Sequence, residues 1–158
     1  MTLKRKDLIE IDKILCDIKR NPKVKLMKTY NQHGKTSTYL HCKKVAEVSY
    51  KIDKVLKLNC NKKELLRGAM LHDFFLYDWH ITGRNINRSL NPFKLHGFVH
   101  PELAKNNAEK EFTLSENEKH IIETHMWPLT LRKLPMSREA WVVTIADKYC
   151  SIRETIHI

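Results

Sequence analysis

Apolar residues recur at three- and four-residue steps along most of this 158-residue chain, the spacing of helices with one buried face. No alternating, strand-like run persists beyond a few residues. Leu8, Ile11, Leu15 and Ile18 share one face of a first helix over 3–20, which Asn21-Pro22 stops. A short helix from Lys23 to Met27 and a loop from Tyr30 to Lys35, hinged at Gly34, follow. Thr36, Ser37 and Thr38 supply a cap for a long helix reaching about Leu58, with His41, Val45, Val48, Ile52 and Val55 on its inner stripe. Asn61 caps the next helix, whose buried side carries Leu65, Ala69, His72, Asp73 and Leu76. Residues 79–98 turn polar and read as a long loop, closed by His96-Gly97-Phe98-Val99-His100-Pro101. Pro101 suits the first turn of a helix running to Phe112, so His100 is placed at that helix's entrance. Ser115 and Glu118 make a capping box for a helix with Ile121, Ile122 and His125 on one face. Ser137 caps a last helix, striped by Ala140, Val143, Asp147 and Cys150, that ends near Thr155. The pattern predicts an all-α fold: one domain over 1–158, a bundle of about six or more helices with the helix over 3–20 packed on it.

The buried stripes are interrupted by ionisable groups. His41, His72, Asp73, His125 and Asp147 fall on faces that are otherwise apolar, and His100 joins them from its helix entrance. Burying such groups without partners is costly. Each has a plain reading as a core residue held by its own hydrogen bonds, but separate partners would be needed for every one of them. A shared metal centre, built from side chains that project inward from facing helices, satisfies all six together.

Composition narrows the chemistry. Hydrophobic content of 42% and charged content of 30% fit a globular protein rather than a disordered one. No segment resembles a signal peptide and no run is apolar enough to cross a membrane, so a cytoplasmic protein without membrane association is expected. Cys16, Cys42, Cys60 and Cys150 are scattered, without CxxC spacing; they read as reduced thiols and argue against a cysteine-based zinc site. The net charge of +11 suits a polyanionic partner. Without a compact basic run with interleaved aromatics, a small phosphorylated substrate is favoured over nucleic acid. No glycine-rich phosphate loop and no GxSxG are present.

The order His41…His72-Asp73…His100…His125…Asp147, with the last Asp in Ala146-Asp147-Lys148, resembles the HD-domain superfamily of metal-dependent phosphohydrolases over roughly residues 36–155. The tracts His-Gly-Phe-Val-His-Pro and Glu-Thr-His-Met-Trp-Pro-Leu look like those of small stand-alone bacterial HD hydrolases. The resemblance implies that His41, His72, Asp73 and Asp147 hold one metal. It also implies that His100 and His125 hold a second, bridged to the first by Asp73. It departs from the cyclic-dinucleotide phosphodiesterases, since Phe74-Phe75-Leu76 stands where they carry Gly-Lys and the Gly-Tyr-Pro tract is missing.

A mixed His/carboxylate set suits one or two ions of Fe, Mn, Zn, Co or Ni better than Mg or Ca. The implied reaction is hydrolysis of a phosphomonoester or phosphodiester, in a nucleotide-like small molecule, by metal-activated water. Asp73 and Asp78 are the candidates for catalytic roles, Asp78 as a general acid or as a residue that supports the metal ligands from behind, if the helix ends before it. Arg84, Arg88, His96 and Lys148 are the candidates for substrate contact. His120, five positions before His125, is expected to face solvent. Two other readings fit the same residues: a regulatory domain that binds metal and a phosphorylated ligand without turnover, and a di-iron oxygenase.

Overall fold

The computed structural model describes residues 2–33, 36–77 and 96–156, apart from the side chains of His33 and His96. Asp78, Arg84, Arg88 and the His96 side chain therefore lie outside the described residues. The rest is an all-α bundle. Its eight described helices are α1 (Arg5–Ile14), α2 (Cys16–Arg20), α3 (Pro22–Leu26), α4 (Thr38–Leu56), α5 (Lys62–Leu71), α6 (His96–Glu111), α7 (Glu116–Thr124) and α8 (Arg138–Thr155). None is long and apolar enough to cross a membrane.

The caps expected from the sequence close the helix starts. Ser37 Oγ accepts the Leu40 N–H, Asn61 Oδ1 accepts those of Lys63 and Glu64, and Ser137 Oγ accepts that of Ala140. Ser115 and Glu118 form the reciprocal capping box of α7.

Several boundaries differ from expectation. The first helix breaks at Leu15, and its inner face is Asp7, Ile11, Leu15 and Ile18, while Leu8 turns outward. Asp7 replaces Leu8 because it has partners to face: the Lys4 N–H at 2.8 Å and Lys54 Nζ at 2.6 Å. Val55, at the tail of the α4 stripe, is exposed. The loop expected over 30–35 contains a short strand, β1 (Asn31–His33), paired antiparallel with β2 (Thr36–Ser37). These strands are too short to show a period.

Helix α5 stops at Leu71 rather than continuing through Leu76. The carbonyls of Phe74 and Phe75 are then taken by Asn107 Nδ2 from α6, at 3.1 and 3.2 Å. Helix α6 begins five residues earlier than Pro101, so His100 lies inside the helix rather than at its entrance. Proline is tolerated there because it gives up only the bond to the Gly97 carbonyl, close to the helix start.

The core is one cluster running from Ile11 and Leu15 through Val45, Leu66, Met70 and Phe74 to Ile122 and Val143. Helix α5 approaches α7 closely at Gly68, where an added Cβ would sit 2.7 Å from Ile121 Cγ2 and 3.0 Å from its Cβ. Only glycine permits that approach. It matters for the site because His72 follows the last residue of α5 and His125 the last residue of α7.

Candidate metal centre

Helix ends aim two of the histidines. His72 is the C-cap of α5 and His125 the C-cap of α7. The last carbonyls of a helix lack intrahelical donors. Each ring supplies one: His72 Nδ1 donates to the Ala69 carbonyl at 2.7 Å, and His125 Nδ1 to the Ile122 carbonyl at 2.8 Å. With the proton fixed on Nδ1 in the neutral ring, the Nε2 lone pair is left to face inward. His41 comes from the first turns of α4, His100 from α6, where it packs edge-on against Phe75, and Asp147 from the middle of α8.

All six side chains are buried and meet in one place. The two oxygens of Asp73 face two different pairs of histidines. Oδ2 lies 3.3 Å from His72 Nε2 and 3.7 Å from His41 Nε2; Oδ1 lies 3.2 Å from His100 Nε2 and 3.5 Å from His125 Nε2. Asp147 Oδ1 closes the first pair, 3.1 Å from His41 Nε2 and 3.7 Å from His72 Nε2. Three overlapping groups could each hold a metal ion: His41, His72 and Asp73; His72, His125 and Asp147; and Asp73, His100 and His125.

The fit to a cation rests on unsatisfied atoms. His72 Nε2 and Asp73 Oδ1 are buried and have no hydrogen-bond partner. The Nε2 atoms of His100 and His125 approach to 2.9 Å although His125 already has its donor committed elsewhere. Nitrogen and carboxylate lone pairs converging in one buried cluster could hold a divalent metal ion.

Histidines and carboxylates of the cluster hold one another's charges. Burial works to raise the carboxyls of Asp73 and Asp147, but the surrounding histidines outweigh it and hold both well below the usual carboxylate range. Burial works to lower His41, yet hydrogen bonds to Asp147 and Glu154 win and bring it to about 10. Burial leaves His125 at about 4, the neutral form a ligand requires. Filling the His41 side therefore displaces a proton, while His125 has none to release at neutral pH.

Other residues also support this cluster, and the stripes and motifs did not single out Glu154 or Gln32. Glu154 Oε2 accepts from His41 Nδ1 at 2.9 Å. Gln32, on β1, donates through Nε2 to Asp73 Oδ2. Lys148 Nζ donates to Asp147 Oδ2 at 2.8 Å and to the His125 carbonyl at 3.0 Å, so a residue expected to contact substrate also braces the site. His120 is half-buried rather than facing solvent, and its Nε2 accepts the Met136 N–H at 2.8 Å.

Searches of curated proteins and of solved structures returned no match. The family model described as HD domain matches residues 38–152, a span that contains all six converging side chains. With that match over most of its length, the chain belongs to the HD-domain family.

Proposed function

We propose that this protein is a metal-dependent phosphohydrolase with a two-ion centre, acting on a phosphomonoester or phosphodiester of nucleotide-like size. The observation that carries the reading is the division of Asp73, with one oxygen toward the His41/His72 pair and the other toward the His100/His125 pair. In this reading His41, His72, Asp73 and Asp147 hold one ion, and Asp73, His100 and His125 hold the other. Bound divalent ions supply Lewis acidity at phosphoryl oxygens and lower the pKa of water so that it can attack near neutral pH.

The chain's own residues prepare the site for that chemistry. The Nδ1 bonds to Ala69 and Ile122 keep the His72 and His125 rings oriented with Nε2 facing the cluster. Burial keeps His125 neutral, whereas the neighbouring Asp73 and Asp147 carboxylates outweigh burial at His72 and hold its proton, which a bound ion would displace. Phe75 and the apolar core around the cluster exclude bulk water, which strengthens every electrostatic interaction inside. Lys148, partly exposed beside Asp147, places a positive charge where a phosphate oxygen can reach it. The net charge of +11 draws an anionic substrate inward.

The test uses the full chain stripped with chelator, then reloaded separately with manganese, cobalt, zinc, iron and nickel. Turnover is assayed on p-nitrophenyl phosphate and bis-p-nitrophenyl phosphate. Hydrolysis that appears on reloading with at least one ion is expected. Undiminished turnover by the stripped protein, or none with any ion, contradicts the proposal.

A further inference from the structure

Resting on the metal-centre reading above, we infer that Glu154 is a positioning residue for the centre, and that it sets the metal affinity of the His41 half alone.

His72 and His125 borrow carbonyls from the ends of their own helices. His41 is unable to do the same. It lies in the first turns of α4, where the backbone carbonyls are already accepting helix bonds. Its Nδ1 needs an acceptor from elsewhere, and α8 supplies it. Glu154 stands seven residues after Asp147, two turns along the same face. The two carboxylates grip opposite nitrogens of one ring: Asp147 Oδ1 at 3.1 Å from Nε2, and Glu154 Oε2 at 2.9 Å from Nδ1. The Glu154 contact holds the proton on Nδ1 and fixes the plane of the ring.

The Glu154 carboxylate is itself held. Its other oxygen, Oε1, accepts from Lys44 Nζ at 3.2 Å. Lys44 is three residues past His41 on α4, so ligand, carboxylate and lysine form a closed relay between two helices. Glu154 is buried, and a cavity of about 520 Å³ whose lining includes Lys44, Tyr149, Arg153 and Glu154 reaches the relay from the side. Glu154 accepts hydrogen bonds from His41 and Lys44, and none of its hydrogen bonds among the described residues runs to His100 or His125. A change at position 154 is thus felt by one half of the centre.

Cobalt titration of the metal-stripped full chain, followed by calorimetry and by the visible absorption of the bound ion, tests this on wild type, Glu154→Gln and Glu154→Ala. Two equivalents are expected in wild type. Glu154→Ala is expected to weaken one of them roughly 10–100-fold, the usual effect of removing a carboxylate behind a ligating histidine. Glu154→Gln should weaken it less, because its amide oxygen still accepts from Nδ1, and both variants should keep wild-type helix content. The other equivalent should stay within about threefold of wild type. Unchanged affinity in Glu154→Ala, or equal weakening of both equivalents, overturns the inference and leaves the metal centre standing. Failure of wild type to bind any ion overturns the metal centre and this inference with it.

Discussion

Asp73→Asn is expected to lower hydrolytic turnover by about 10³-fold or more while the protein stays folded. Asparagine keeps the shape of the side chain but offers one oxygen where two are required, so it can face only one of the two histidine pairs. Losing Lewis-acid stabilisation of several kcal/mol, at one decade per 1.36 kcal/mol, gives that magnitude. The metal content should fall in parallel, from two equivalents to one or fewer. Circular dichroism and thermal unfolding separate this outcome from collapse of the fold. A variant that retains wild-type turnover and metal content would remove Asp73 from the centre of the account.

Arg67→Ala is expected to destabilise the fold by about 3–5 kcal/mol, the usual cost of breaking a buried ion pair from one side. Arg67 is buried on α5; its Nε donates to Glu118 Oε1 at 2.7 Å and its Nη1 to Asp17. Glu118 is also the N3 residue of the α7 capping box, and its Oε2 accepts the Ser115 N–H at 2.9 Å. Truncating Arg67 leaves the Glu118 carboxylate buried without its cation. Since Gly68 beside it makes the close α5–α7 contact, the damage falls on the packing that brings His72 to His125. Chemical denaturation of metal-free protein measures the loss. A shift below about 1 kcal/mol would mean that the pair is solvated in solution and carries little of the fold.

Much of the site was legible in the periodicity because the stripes report burial, and burial is what makes an ionisable residue unusual. His41, His72, Asp73, His125 and Asp147 stand on apolar stripes, and all are buried. The stripe Ala140, Val143, Asp147, Cys150 advances by three, four and three, and one further step of four reaches Glu154, so the same periodicity carries a signal for that residue. Gln32 gave no such signal. It reaches Asp73 from a short hairpin, across 41 residues, and nothing local marks that contact. The end of α5 was likewise set by tertiary partners: Asn107 takes the Phe74 and Phe75 carbonyls, which local propensity does not reveal. Pro101 misled in the opposite direction, since a proline reads as a helix start although a helix tolerates it a turn or so inside.

The division of Asp73 between two ions is tested most directly by anomalous diffraction from crystals of the full chain saturated with manganese. The account predicts two anomalous peaks about 3.5–4 Å apart, on either side of the Asp73 carboxylate. One lies among His41, His72 and Asp147, the other against His100 and His125. A single peak at saturation, or peaks that leave Asp73 uncoordinated, would contradict it.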